Sequence, residues 1–436
     1  MRSIGGVSAA LLCLCIGSMG AGAATIEVPG DYPTIQEAVD AAVYGDEVFI
    51  APGDGYAEPI HEAGAGDTTM CCVILKSGIT LRGSGMGQTI VDGDSLGRVL
   101  HLYQCEDVEI CDLTVTGGFA EYYGSGIFCR ESSPYIHDVE VILNYDGGIS
   151  MIEDSDAVIE FVRMEQNHAK AGGGLNAELE CEPLIYRCEI IDNSAPFAGG
   201  VRLRGSATLD HCIIDNNRTT GAVNVLGGGI LVVDRAVPTI VNCEITNNEC
   251  YGDGAGISVI GEQTDCVIDR CLIDGNVSTG LEARGGGIAV GSLADATIQK
   301  CIISNNVIQG TWGDGGGLYV QYSSADVSDC TFYGNWTEAD STATNMVGNV
   351  GIELLPGLNT ASVTGCIVSH SPRGVGLFCT GDDPTISCCC VYGNRDGDEI
   401  CGVGTDNFSL DPLLCDPEIG NFHIEDASPC APGNHP

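Results

Sequence analysis

The chain has 436 residues, and its 60 Asp and Glu against 17 Lys and Arg give a formal net charge of −43. A field of that sign repels nucleic acids and anionic membranes, so both are excluded as partners. The composition fits a soluble extracellular protein that attracts cations, and it leaves the oligomeric state open.

Residues 1–24 are predicted to be a secretory signal peptide. Arg2 precedes an apolar stretch through Leu11 and Leu12, and small residues follow up to Ala23 and Ala24. We therefore expect a secreted or cell-surface protein and exclude this segment from the fold. Beyond it, no stretch is long and apolar enough to span a membrane.

A short helix is predicted just after the signal peptide. Thr34 and Glu37 form the pattern of a capping box behind Pro33. The residues that follow place an apolar stripe on one helical face: Ile35, Ala38, Val39 and Ala42. Because an open end of a sheet invites pairing with other chains, we expect this helix to cover the end of the domain. Strands are predicted next, at residues 47–50, 73–75 and 79–81.

A repeated motif occupies most of the remaining chain. A cysteine, or in two early copies a valine, is followed five residues later by asparagine, with 23 to 36 residues between copies. One copy, at Cys366, carries Ser371 instead of asparagine. A constant motif with variable spacing indicates one structural unit stacked many times. The copies that keep asparagine are Val139–Asn144, Val162–Asn167, Cys188–Asn193, Cys212–Asn217, Cys243–Asn248, Cys271–Asn276, Cys301–Asn306, Cys330–Asn335 and Cys389–Asn394.

A glycine followed by an aliphatic residue recurs in phase with this motif. Short alternating segments follow each glycine, and the cysteine segments alternate too, so each unit holds at least two short strands. No amphipathic helical pattern separates them, which excludes βαβ units. The sequence therefore predicts an all-β fold: a single-stranded right-handed parallel β-helix, a solenoid of roughly a dozen coils. The glycines are Gly126, Gly148, Gly174, Gly200, Gly229, Gly256, Gly287, Gly317, Gly351 and Gly376.

The cysteines are predicted to fall into two groups. Ladder cysteines stack at the strand spacing, which is wider than a disulfide requires, so we expect free, buried thiols there, and core positions for Cys129 and Cys379. The repeats stop after Asn394, which predicts a β-helix over residues 25–394 and an irregular, Cys-rich C-terminal cap over 395–436. One or two disulfides are expected among Cys388, Cys390, Cys401, Cys415 and Cys430, with the pairing open.

The two ends of the mature chain resemble a known family. Residues 25–42 and 45–53 resemble the start of pectin-lyase-like right-handed β-helix proteins. Residues 411–417, 422–424 and 428–432 resemble the end of secreted bacterial β-helix repeat proteins, many without an assigned function. The resemblance implies the fold over residues 25–436. The sequence blocks of pectate lyases, polygalacturonases and pectin methylesterases are missing, so it implies no particular activity.

Three residues before the glycine, consecutive units carry Asp253, Arg284 and Asp314. Stacking would put the two aspartates about 9–10 Å apart, near the upper limit used by inverting glycosidases, with Arg284 between them. Trp312 and Trp336 are expected in loops on neighbouring coils, where their rings would stack on a sugar. The alternative is an Asp–Arg–Asp salt-bridge ladder, with the tryptophans anchoring long loops.

Two further candidates lie elsewhere on the predicted surface. Asn176 and Arg202 share one outward register, and Glu178 and Arg204 share the next, so the arginines are candidates to hold a uronate or sulfate. The alternative there is a cross-strand Glu178–Arg204 ion pair. Calcium is a candidate ligand of acidic turns at Asp192, Asp215 and Asp274, against the alternative that these turns are simply solvated.

These observations support two hypotheses of different classes. The first, preferred on sequence, is a secreted or cell-surface β-helix that binds glycan, adheres or serves a structural role, because no complete catalytic signature is present. The second is a polysaccharide-active enzyme, a glycoside hydrolase or lyase, with Asp253 and Asp314 as the acid/base pair. In it, Arg284, Trp312, Trp336, Asn176 and Arg202 would bind the substrate. No cofactor is implied with certainty.

Overall fold

The computed structural model describes residues 23–64, 67–121, 124–221, 225–310, 313–338 and 347–434. Residues 1–22 of the predicted signal peptide and Trp312 therefore lie outside the described residues. The described chain winds into an all-β parallel solenoid of about 11 turns, as predicted. Each coil contributes strands to two long sheets, and the middle coils add a short third one.

The strands are assigned to their sheets as follows. The first sheet has 25 strands: Thr25–Val28, Glu47–Ile50, Gly53–Ala57, Thr80–Arg82, Thr89–Asp92, Glu109–Thr116, Tyr135–Ile142, Val158–Glu160, Arg163–Glu165, Leu184–Tyr186, Glu189–Ile191, Thr208–Asp210, Ile213–Asp215, Thr239–Val241, Glu244–Thr246, Asp265–Asp269, Leu272–Asp274, Asp295–Gln299, Ile302–Ser304, Ser324–Ser328, Thr331–Tyr333, Ala361–Thr364, Ile367–Ser369, Thr385–Ser387 and Cys390–Tyr392. The second has 13: His61–Gly64, Asp67–Ile74, Arg98–Tyr103, Ile127–Arg130, Ile149–Ile152, Leu175–Ala177, Val201–Leu203, Ile230–Val232, Ile257–Ile260, Ile288–Gly291, Leu318–Gln321, Val347–Glu353 and Val375–Thr380. The third has six: Ser194–Ala195, Arg218–Thr219, Glu249–Cys250, Val277–Ser278, Val307–Ile308 and Trp336–Thr337.

The asparagine ladder holds the turn of every coil from Asn144 to Asn394. At Asn248, the backbone N–H and the side-chain amide both donate to Oδ1 of Asn276 on the next coil, at 2.9 and 3.0 Å. The second amide hydrogen donates to the carbonyl of Ile214 at 2.9 Å. Each buried asparagine thus satisfies its own polar atoms and those of its neighbours, which a buried amide requires.

The glycine ladder exists because the backbone of the next coil and the asparagine side chains leave no room for a side chain there. A Cβ placed on Gly256 would lie 2.5 Å from the carbonyl oxygen of Gly287 and 3.1 Å from Nδ2 of Asn276. No side chain fits at that distance without displacing backbone. The two sequence ladders therefore report one structural feature, a turn that admits only glycine beneath a stacked asparagine.

One coil departs from the predicted pattern, and the structure compensates. Where the motif has Ser371, Asn349 from the start of a second-sheet strand enters the ladder, accepting from Asn335 and donating to Asn394, both at 2.8 Å. Val350 pairs with Leu318, so Asn349 occupies the slot predicted for Gly351, and Gly351 pairs with Tyr319 instead. The prediction for Gly351 was wrong by two residues.

The cysteine ladder is buried and free, as predicted. Cys212, Cys243, Cys271, Cys301 and their neighbours are at most 2% exposed, and none is paired in a disulfide. The thiol of Cys271 donates to the carbonyl of Ile240 at 3.5 Å, and its backbone N–H donates to Cys301 Sγ at 3.5 Å. The slot is therefore an apolar position in which a thiol can still find an acceptor.

The C-terminal region carries one disulfide, between Cys379 and Cys401. Cys401 therefore pairs outside the predicted C-terminal group, with Cys379, a position that was predicted for the core. Its strand is among the last in the solenoid, where the core tapers and Cys379 is only partly buried against it. Cys388 and Cys415 are exposed and unpaired, and Cys390 is buried and unpaired.

Both ends of the solenoid are covered. The helix Ile35–Ala41 begins at Thr34, whose side chain accepts from the N–H of Glu37, and it buries Ile35, Ala38 and Val39 as predicted. At the other end, residues beyond Asn394 still pair with the last coil through Val403 and Phe408. A small antiparallel pair, Leu414–Asp416 and Asn421–Ile424, and the 3₁₀ turn Pro417–Ile419 follow. Among the described residues, no helix is long and apolar enough to cross a membrane.

Replacing Asn276 with Ala should lower the free energy of unfolding by about 2–4 kcal/mol, because several buried donors and acceptors lose their partners at once. Urea denaturation monitored by circular dichroism measures the change. Asn421→Ala, at a residue outside the ladder that accepts one bond from the N–H of His423, is the control and should cost under about 1 kcal/mol. Equal losses in the two variants would contradict a structural role for the ladder.

Thiol labelling of the folded, non-reduced protein should modify Cys388 and Cys415 rapidly, because both are exposed. The buried ladder thiols should react at least about 10³-fold more slowly, since they become accessible only on local unfolding. Mass spectrometry of labelled peptides reads out each site. Rapid native labelling of Cys212 or Cys271 would contradict the buried ladder.

Candidate functional site

A row of residues runs along one edge of the second sheet, just before the glycine of each coil. We call it the lip: Ala171, Phe197, Leu226, Asp253, Arg284 and Asp314. Bridges pair Ala171 with Phe197, Leu226 with Asp253, and Arg284 with Asp314. The N–H of Gly254 donates to the carbonyl of Arg284 at 2.9 Å, and that of Gly285 to the carbonyl of Asp314 at 3.1 Å. The structure therefore brings Asp253, Arg284 and Asp314 together on consecutive coils, as the register predicted.

Among the described residues, the guanidinium of Arg284 has no salt-bridge partner. Its Nη1 donates to the neutral Gln321 Oε1 at 3.2 Å, and its Cζ lies 6.0 Å from the centre of the Tyr319 ring. In the described part of the chain, Arg284 forms no ion pair within 4.0 Å of either aspartate. The alternative of an Asp–Arg–Asp salt-bridge ladder is therefore wrong, and the cation remains available to an anionic ligand.

The two aspartates differ in how they are held. Oδ1 of Asp253 accepts the backbone N–H of Arg284 at 2.8 Å, which fixes that carboxylate to the lip. Asp314 has no such bond among the described residues, and burial raises its pKa to about 6, although Arg284 opposes the rise. Burial also raises the pKa of Asp253. Asp314 is thus the carboxyl that can exchange a proton near neutral pH.

A second layer of side chains supports Arg284. Glu353, on the coil after Tyr319, accepts hydrogen bonds from the Tyr319 hydroxyl at 3.1 Å, Gln321 Nε2 at 3.0 Å and the Tyr322 hydroxyl at 2.8 Å. Burial raises the pKa of Glu353, but these bonds outweigh it and lower that pKa overall. Sequence reasoning missed this cluster. Tyr319 and Gln321 could have been found, because they lie at outward positions after Gly317. Glu353 could not, because its pairing with Gln321 follows only from the corrected register of its coil.

Of the two tryptophans of the predicted platform, only Trp336 is described, and it does not lie on this face. Trp312 lies outside the described residues. Trp336 stands in the third sheet beside Val307, and the next residue, Thr337, donates to the carbonyl of Gly313 at 3.2 Å. Because Thr337 is buried, alternation places the partly exposed Trp336 on the outer row of the third sheet rather than above the lip.

The Asn176–Arg202 candidate forms a charge-compensated network. Arg202 Nη1 donates to Asn176 Oδ1 at 3.2 Å and to Glu178 Oε1 at 2.5 Å. Arg204 also binds Glu178, and its Nε donates to Asp234 Oδ2 at 2.7 Å. The predicted Glu178–Arg204 pair is thus present. Arg202 borders a groove of about 340 Å³ that the lip residues Phe197 and Leu226 also line, together with Lys170.

The three acidic turns are separated rather than convergent. Asp215 accepts from Thr246 Oγ1 at 2.6 Å and Asn247 Nδ2 at 2.8 Å, and Asp274 accepts from Ser304 Oγ at 2.6 Å. Asp192 is likewise bound by Asn216. Their oxygens face donors of the next coil, and within the described chain they do not gather into a metal-ligand cluster. Calcium at these turns stays a prediction without a preformed site.

Comparison with known proteins identifies the fold family. The model of the right-handed β-helix region matches residues 98–264 and 255–409. The chain belongs to this family. Over 111 residues, 23% of this chain, it is 33% identical to the mannuronan C5-epimerases AlgE1 and AlgE3 of Azotobacter vinelandii. Those segments span only 7% and 6% of the two epimerases.

A solved structure from the same organism has the same architecture as this chain. The A-module of mannuronan C-5 epimerase AlgE6 superposes with a TM-score of 0.51, covering 87% of this chain and 94% of that one. At 14% sequence identity, this likeness establishes the fold and nothing about the site.

Asp314→Asn should stabilise the protein at neutral pH but not in acid. The pKa of Asp314 is raised from 3.8 to about 6 by burial, so folding binds a proton there and wild-type stability falls as pH rises from about 4 to 6. Above that window the variant should be more stable by about 1–2 kcal/mol, after discounting for partial exposure. Urea midpoints of both proteins between pH 3.5 and 7.5 measure this, and a pH-independent difference would contradict the raised pKa.

Proposed function

We propose that this protein is an exported, polysaccharide-active enzyme that binds a uronate-containing polymer along the lip and transfers a proton at Asp314. Arg284 carries the proposal, because its guanidinium lacks a carboxylate partner among the described residues and stands one coil from a carboxyl group with a pKa of about 6. The named epimerase relatives support an enzyme over the purely binding or structural role that the sequence favoured.

The chemistry that this pair suits is removal of a proton next to a carboxylate. Arg284 would pair with the uronate carboxylate and stabilise the negative charge that develops on it. Asp314, ionised at neutral pH, would accept the hydrogen of the adjacent carbon as a proton while the C–H electron pair moves toward the carboxylate. Return of a proton from water to the opposite face gives the epimer. Alternatively, the electron pair expels the neighbouring glycosidic oxygen, which takes up a proton from water as it leaves, and the product is unsaturated.

The same face offers a path for a polymer despite the negative net charge. Arg202 lies three coils from Arg284, which is about 14 Å along the axis. Lys170 and Arg202 line the groove at one end of the lip, and Arg284 lies toward the other. Because Glu178 already neutralises Arg202, Arg284 would chiefly offset the repulsion that the chain's field exerts on a polyanion.

Asp314→Asn should lower kcat on the preferred polymer by about 10²–10⁴-fold, the usual contribution of a proton-transfer group. Arg284→Gln should raise KM and lower kcat together, because the carboxylate would lose its partner. Substrates are polymannuronate, polygalacturonate and a neutral β-glucan, each with calcium or chelator. Proton NMR reports sugar configuration, ultraviolet absorbance reports unsaturated ends, and a reducing-sugar assay reports hydrolysis.

Asp295→Asn is the matched control, since Asp295 is an exposed aspartate on the first sheet. Its activity should equal that of the wild type, and kcat/KM of both should rise with pH through about 6 as Asp314 ionises. Binding without turnover on every polymer would contradict the enzymatic proposal and leave a glycan-binding protein. Turnover that survives in Asp314→Asn would contradict the assigned site.

A further inference from the structure

A second cluster of chemically active side chains lies on the outer face of the first sheet, near the N-terminal end of the solenoid. Glu109 and Cys111 stand two residues apart on the strand Glu109–Thr116, and His137 pairs with Cys111 from the next coil. A carboxylate oxygen, Sγ and a ring nitrogen of these three residues lie within 4.8 Å of one another. We propose that they bind a divalent cation of intermediate softness, Zn²⁺ in the first instance.

The donor set matches that cation. Zn²⁺ is bound in proteins by thiolate, imidazole and carboxylate, and three protein ligands leave a fourth position for water or a ligand. The thiolate of Cys111 and the carboxylate of Glu109 together neutralise the ion's two charges. A hard cation such as Ca²⁺ or Mg²⁺ would not select the sulfur or the nitrogen.

Neighbouring groups orient both polar ligands toward a common point. His137 Nδ1 lies 2.9 Å from Asp138 Oδ2, and Nε2 lies 3.0 Å from Glu109 Oε1, so the ring bridges two carboxylates. An ion bound between Nε2 and Glu109 would displace the Nε2 proton and leave the other proton on Nδ1, held by Asp138. The other oxygen of Glu109 accepts from Thr80 Oγ1 at 2.9 Å. A carboxylate behind a histidine ligand and a hydroxyl behind a carboxylate ligand are typical supports of a metal site.

Cys111 differs from the ladder cysteines. It is 3% exposed, but it is not part of the core cluster because the alternating strand points Ile110 inward and Cys111 outward. Within the described residues its thiol has no hydrogen-bond partner, whereas the ladder thiol of Cys188 donates to the carbonyl of Ile159 at 3.5 Å. A salt bridge between His137 and Glu109 explains those two side chains, but it leaves this thiol unexplained.

The test is a titration of the full, reduced chain with Co²⁺, which reports thiolate ligation through a sulfur-to-cobalt absorption band, followed by displacement with Zn²⁺. We expect one ion per chain. The band should be lost in Cys111→Ser and in His137→Gln, and Asp138→Asn should weaken affinity about 10–100-fold. The double variant Cys388→Ser/Cys415→Ser, which removes the two exposed thiols, is the control and should keep the band.

A band that survives in Cys111→Ser, or that vanishes in the exposed-thiol control, would overturn the site. So would failure of the folded wild type to bind Co²⁺ or Zn²⁺ at millimolar concentration. Circular dichroism establishes that each variant is folded, and Cys111→Ala replaces Cys111→Ser where the hydroxyl disturbs the strand. The experiment measures metal binding on the first sheet. Its outcome therefore tests the metal site independently of the activity proposed at Arg284.

Discussion

The structure depends on one constraint: every coil must hydrogen-bond to the next in the same register. Backbone pairing between parallel strands fixes the coil spacing at about 4.8 Å, and the asparagine ladder closes the turn where strand pairing stops. Residues that are 23 to 36 positions apart in the sequence thereby become direct neighbours. A side chain at a given register contacts the equivalent side chains of the coils above and below it. Each position of the motif therefore forms a row of stacked residues along the solenoid.

Rows create an electrostatic problem for a chain with this net charge, because like charges would stack on like charges. The structure shows two ways of placing cations among them. Around Glu178, both Arg202 and Arg204 are bound by carboxylates, so the charges cancel locally. On the lip, the guanidinium of Arg284 stands between two aspartates yet, among the described residues, donates only to Gln321. Compensated networks of the first kind stabilise a surface, whereas a cation left without an anion is suited to a ligand.

The sequence predicted the features that the repeat or a local motif encodes, and it missed those that depend on single contacts outside both. The asparagine and cysteine rows and the stacking of Asp253, Arg284 and Asp314 follow from periodicity, and the capping helix follows from its capping box and apolar stripe. Periodicity does not predict the entry of Asn349 into the ladder, because Asn349 comes from the start of a second-sheet strand and takes the place of Ser371 of the motif. The Cys379–Cys401 pair and the Glu109–Cys111–His137 cluster are similar cases. Each joins residues whose relation depends on a local strand register outside the repeated motif.

The rigid spacing also limits the chemistry that the lip can perform. Asp253 and Asp314 are two coils apart, about 9–10 Å, which is too far for the pair of carboxyl groups in a retaining glycosidase and at the limit for an inverting one. The Asp253 carboxylate is also held in place by a hydrogen bond from the backbone N–H of Arg284. A mechanism that needs two mobile carboxyl groups is therefore poorly matched to this surface. One carboxyl group with a raised pKa beside one unpaired guanidinium is better matched to proton transfer next to a bound carboxylate, and this separates the proposed reaction from hydrolysis on physical grounds.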